Sequence, residues 1–173
     1  MVALLSYKDM FEYFKSERAR LIEALQKLPK EELTRNRGLS FDSIKDILAH
    51  TIMYEDTWLH YRLPGVGEIT KWKLEDFKNL DDIKRYMREI DAKTEKLFDG
   101  ITNEDLRKKV KRVRSDGIEE VYELEQVLFQ LAIEAIHHFG EIMGEFWKMK
   151  IDAPYYSYLA YIRDMKMGHI SSS

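Results

Sequence analysis

Near the C-terminus the chain reads Glu134-Ala-Ile-His137-His138-Phe-Gly-Glu141, and His50 stands far upstream. Imidazole nitrogens and carboxylate oxygens are donors that hold divalent cations, and on an apolar helix face they are costly to bury unless something satisfies them. At about 100° per residue, Glu134 and Glu141 share one flank with His138, being four residues before it and three after. Adjacent His137 turns toward solvent, and Glu145 continues the acidic edge. Two readings follow from this spacing. One is a buried imidazole bridged by a carboxylate, with Glu141 and Glu145 as water-screened edge groups. The other is an open metal site that keeps positions for water or substrate. The chain has no cysteine, so disulfides and thiolate ligands are excluded and any ion would be held by His, Asp or Glu.

Such residues need rigid elements to position them, and apolar periodicity supplies four. Tyr7, Phe11, Phe14, Leu21, Leu25 and Leu28 recur at three-four spacing, which predicts a first helix over roughly residues 5–28. Arg18 alone interrupts that stripe. Turned inward it would pair with the acidic flank of the fourth helix or bind an anionic substrate; turned outward it would snorkel to solvent. Ser43-Ile-Lys-Asp46 reads as a capping box opening a second helix through Ile47, Thr51, Tyr54 and Trp58, ended by Leu63-Pro64-Gly65. His50 falls at the edge of its buried face. Asn79-Leu-Asp-Asp82 caps a third helix along Ile83, Met87, Ile90, Thr94 and Leu97, ending near Gly100. Branched residues around Asp116-Gly117 predict a loop or marginal hairpin between Lys109 and Tyr122. The fourth helix, roughly residues 123–149, lines up Leu124, Leu128, Leu131, Ala135, His138, Ile142 and Phe146. After Pro154, Tyr155, Tyr158, Leu159, Tyr161 and Ile162 suggest a short final helix. The predicted fold is therefore all-α, a four-helix bundle in one domain over residues 1–165, with a flexible tail at 166–173 whose terminal serines fray.

Composition narrows the function classes. A length of 173 residues suffices for one core without disulfide staples. No run approaches the roughly 18 apolar residues of a membrane span, and the first residues lack a signal-peptide pattern, so no membrane partner and a cytoplasmic location are expected. The net charge is −3 and the basic cluster Arg107 to Arg114 has no interleaved aromatics, which argues against nucleic acid. Tyr54, Trp58 and Trp72 are candidates to wall a pocket beside His50, with Gly65 and Gly67 letting a loop fold over it. The Met- and Tyr-rich segment from Phe146 to Met167 is expected either to cover the bundle or to form a homodimer surface.

The pattern Ser43-Ile-Lys-Asp-Ile-Leu-Ala-His50, followed late in the chain by His138-Phe-Gly-Glu-Ile, resembles the DinB/YfiT-like metalloprotein family over most of the sequence. The resemblance implies a four-helix bundle that holds a divalent ion through three histidines, one on the second helix and two, four residues apart, on the late helix. Those positions fall on His50, Glu134 and His138, so a glutamate stands where the family has its remaining histidine. Phe139-Gly140-Glu141-Ile142 is similar to the family's Arg-Gly-Gln-Ile segment with two changes. A carboxylate can take an imidazole's place, and zinc, nickel, iron(II) and manganese all tolerate the set. Glu141 is the candidate catalytic residue, as proton acceptor or as the group that orients a ligand. Family members that are thiol-dependent transferases and isomerases imply transfer or hydrolysis on a small molecule, with a thiol among the expected partners. A passive metal-binding or stress-associated bundle and a metal-free interaction module are the alternatives.

Overall fold

The computed structural model describes residues 4–154 and 156–168. Tyr155 and the serine tail expected to fray lie outside the described residues. Helix α1 spans Leu4–Leu25 and is followed by a turn and the short helix α2, Lys30–Thr34. Sequence periodicity carried the first helix to residue 28 because Leu28 is buried too, but it sits in the turn before Pro29. Helix α3, Ile44–Asp56, starts where expected: the Ser43 hydroxyl accepts from the Asp46 amide and donates to the Asp46 carboxylate. It continues into a π-helical turn at Thr57–Arg62. Helix α4, Leu80–Gly100, is capped by Asn79, whose carbonyl oxygen accepts from the Asp81 and Asp82 amides, and those two acids complement the positive end of the helix.

Between α4 and the last long helix the marginal hairpin is formed. Strands β1, Lys109–Val113, and β2, Glu119–Glu123, pair antiparallel with Val110 opposite Tyr122. Gly117 turns them with φ +82°, a left-handed conformation that an L side chain rarely adopts. Helix α5, Leu124–Lys148, follows, and α6, Tyr158–Lys166, closes the described chain. Tyr13 of α1 packs against Tyr158 and Tyr161, and Phe139 against Tyr156, so this last segment covers the bundle. The chain is an all-α bundle with a two-stranded ribbon attached.

The long helices α1, α3, α4 and α5 pack into one bundle, α3 and α1 each touching both α4 and α5, with α1 and α5 running parallel to each other and antiparallel to α3 and α4. Their apolar faces form two cores rather than one. The first joins Leu21, Leu25, Ile47, Ile52, Ile83, Ile90 and Ile142, and the second joins Tyr7, Trp58, Phe98, Leu124 and Leu128. Between them each helix contributes polar groups at mid-length: Arg18, Glu55, Asp91 with Thr94, and Glu134 with His138. A polar belt thus crosses the bundle. Neither expectation for Arg18 holds. It is buried, and its guanidinium pairs with Glu55 at 3.2 Å and, more closely, with Asp91, rather than reaching α5 or solvent. Among the described residues no helix is long and apolar enough to cross a membrane.

Candidate metal centre

Helices α3 and α5 lie side by side, and their midpoints face the belt. His50 is two turns from the Ser43 cap, while Glu134 and His138 stand one turn apart on α5. This geometry brings the three candidate ligands together: the Nε2 atoms of His50 and His138 each lie 3.2 Å from the same Glu134 oxygen, Oε1. One ligand atom from each residue falls within 4.8 Å of the others. Atoms bound to one ion at about 2.0–2.2 Å stand roughly 3–3.5 Å apart, so the cluster needs little adjustment to take a cation. His138 is buried, whereas His50 and Glu134 are half-buried and leave the cluster reachable from one side. His137 is exposed, as expected. It groups with His138 and Glu141 as well, but there the Glu141 oxygens are already engaged.

The other ring nitrogen of His138 fixes what Nε2 offers. Nδ1 lies 3.0 Å from Glu141 Oε2, and Ser40 donates to the two Glu141 oxygens, its amide at 2.7 Å and its hydroxyl at 2.6 Å. Burial pushes the Glu141 carboxyl up, yet the Ser40 donors and His138 together hold it below the usual glutamate range. An ionised carboxylate only accepts, so Nδ1 carries the hydrogen, and in the neutral ring Nε2 presents a lone pair to Glu134. Two lone-pair atoms at 3.2 Å repel unless a proton or a cation lies between them. Burial also draws His50 below the ordinary imidazole value, against the pull of its hydrogen bond to Glu134, and favours the neutral form that ligates. With both oxygens occupied, Glu141 is placed to orient the His138 ring.

The loop before α3 supplies what sequence reasoning missed. Ser40 holds Glu141, and Phe41 stacks on His50 with ring centroids 4.0 Å apart. Arg37 anchors that loop through Glu145 at 3.0 Å and the Glu32 carbonyl at 3.1 Å, and Gly38 turns it with φ +64°. Glu145 is therefore no solvated edge carboxylate: it is 2% exposed and paired with Arg37 and Lys148. Loop positions have no periodicity to betray them, but Gln130, one turn before Glu134, could have been found by spacing. Its amide donates to Glu134 Oε2 at 3.3 Å.

Tyr54 stands beside His50, and Trp58 beside Tyr54, as expected. Trp72 does not join them; it stacks on Phe77 and packs tilted against Tyr86 in the first core, and the loop carrying Gly65 and Gly67 is held there through Thr70, bonded to Asp56. Next to the cluster a groove of about 400 Å³ opens between α3, the ribbon and α5, lined by Tyr54, Trp58, Arg112, Tyr122, Gln126 and Gln130. The indole Nε1 of Trp58 is buried without a hydrogen-bond partner.

Comparison with known proteins agrees with this architecture. The chain is similar to a solved DinB-like protein from Bacillus cereus ATCC 10987, with a TM-score of 0.66 at 14% identity over 90% of this chain and 98% of that one, a likeness of fold. No curated protein matches the chain. The model of the DinB family matches residues 2–144, a span that contains His50, Glu134, His138 and Glu141, and the chain belongs to the DinB family.

Proposed function

We infer that this protein holds one divalent cation between α3 and α5 and uses it on a small molecule, in a transfer or hydrolysis reaction. The observation that carries this reading is the convergence of two Nε2 atoms on one carboxylate oxygen, with the opposite nitrogen of His138 tied to Glu141. His50, Glu134 and His138 would be the ligands, and the mixed nitrogen and oxygen set suits zinc, nickel, iron(II) or manganese. A bound ion of this kind polarises a substrate oxygen or lowers the pKa of a coordinated water. Glu141 acts through His138, keeping its ring oriented, while Ser40 keeps Glu141 ionised. Gln130 bridges the ligand Glu134 and the adjoining groove, whose aromatic wall of Tyr54, Trp58 and Tyr122 would seat the substrate and exclude water. Arg112 at the rim offers a cation for an anionic group, and the family resemblance adds a thiol as candidate co-substrate.

Turnover of thiol-adduct and ester panels, measured on protein purified without an affinity tag, tests the reading. Activity that appears with a divalent ion, vanishes with chelator and is lost in His138→Ala supports it. Metal bound without turnover of any panel member would reduce the protein to a non-catalytic metal-binding bundle.

A further inference from the structure

The outward face of α5 differs from that of α4. Phe129, Ile133, Ile136 and Trp147 are 60, 47, 61 and 67% exposed, and Gly140 and Gly144 lie on the same line. At about 100° per residue all six fall within roughly 40° of the direction of Gly140. From Gln126 to Trp147 the exposed positions include no Asp, Glu, Lys or Arg. On α4 the exposed positions are those of a solvated helix, among them Asp81, Arg85, Arg88, Glu89, Lys93 and Lys96. The two glycines add an independent observation. A side-chain carbon built on either meets nothing within 4 Å, so nothing inside the protomer requires glycine there, although each weakens the helix interior. Close approach of another backbone does require it.

We propose that this face is the interface of a homodimer in which α5 packs antiparallel on α5 of a second copy about a two-fold axis at Gly140. The sequence is self-complementary about that point. Four residues to either side, Ile136 faces the partner's Gly144; seven away, Ile133 faces the partner's Trp147. Just past the helix end Ile151 is 40% exposed as well. A large side chain thus meets a small one beside the axis and apolar groups meet farther out, which is the form of an isologous contact. Along the rim His137 comes beside the partner's Glu141 and Gln130 beside the partner's Lys148, so like charges do not face each other. With a whole aromatic side chain at about 150–250 Å², the exposed parts of this stripe bury roughly 500–600 Å² per copy. The total, at most about 1,000–1,200 Å², lies at the small end of biological interfaces.

Sedimentation equilibrium of the full chain, with cysteine variants in a chain that has none of its own, tests the proposal. The wild type should be a dimer, and Ile136→Asp should raise the dissociation constant by about 30-fold or more while helicity stays unchanged. Gly140→Cys, whose new side chain has open space in the protomer, should cross-link to itself under mild oxidation. Ile133→Cys and Trp147→Cys should cross-link when combined and stay reduced singly. A folded wild type that remains monomeric at high micromolar concentration overturns the proposal, as does such a monomer that binds phospholipid vesicles through this face. A dimer in which Gly140→Cys stays reduced and Ile136→Asp changes nothing overturns it too.

Discussion

The polar belt contains two clusters at the same level of the bundle, and one carries its own cation while the other does not. Around Arg18 the charges close on themselves: the guanidinium serves Glu55 and Asp91, and the Thr94 hydroxyl donates to Glu55 at 2.6 Å while standing 3.2 Å from His60 Nε2. Only the Arg18 Nε, among that cluster's buried side-chain atoms, lacks a partner. Around His138 the donors sit outside, on Ser40 and Gln130, and the centre is made of Nε2, Nε2 and Oε1. A small cavity of about 40 Å³, room for a few water molecules, adjoins both clusters, lined by Arg18, Glu55 and Asp91 and also by Glu134. Burial alone therefore does not mark a site. What marks it is two ring nitrogens converging on one carboxylate oxygen with no Lys or Arg among them.

Replacing Arg18 should show the largest effect. Arg18→Met leaves Glu55 and Asp91 buried without their cation, and chemical denaturation should report a loss of about 3–5 kcal/mol. If the comparison is sound, the folded fraction of that variant still binds metal normally. His138→Ala is the converse. Metal affinity measured by competition with a chelating dye should fall at least about 100-fold, more than the loss of an outer partner produces, with the far-UV spectrum of the wild type retained. Next, Glu141→Gln keeps the shape of the side chain but weakens its hold on the His138 Nδ1 hydrogen, and affinity should drop about 10-fold. An unchanged affinity would mean that Glu141 does not orient the ring.

The smallest effect is a pH dependence in the closed cluster. Burial, partly offset by Arg18, pushes Asp91 up to about 6. The folded carboxyl thus holds its proton more tightly than the unfolded one, whose pKa is near ~4. Its contribution to stability rises as pH falls from about 6 toward ~4, and is unfavourable above that window. Thermal unfolding of wild type and Asp91→Asn across this range isolates the group from the other carboxylates. The wild type should gain about 1–2 kcal/mol on the variant toward the acidic end; a constant difference would remove Asp91 from the account.

The two clusters were not equally legible in the sequence. Positions along one helix follow from its period, so the inward turn of His138, the outward turn of His137 and the flank shared by Glu134 and Glu141 could all be read from spacing. Pairings across helices depend on how the bundle sets one helix against another, which spacing does not encode. Arg18 was expected at solvent or against α5 and meets Glu55 and Asp91 instead. Pairing His50 with His138 rested on a resemblance, not on geometry. The loop contribution of Ser40, and the burial of Glu145 by Arg37, depend on one turn at Gly38 and on contacts more than a hundred residues apart in sequence. No local pattern announces them.

Calorimetric titration of metal-stripped, tag-free protein with zinc, nickel, manganese and iron(II), alongside His50→Ala and His138→Ala, decides whether the cluster of His50, Glu134 and His138 is built for a divalent ion. The wild type should bind one ion per chain for at least one metal, and both variants should lose it with helicity intact. No binding by the wild type, or binding unchanged in both variants, would contradict this reading.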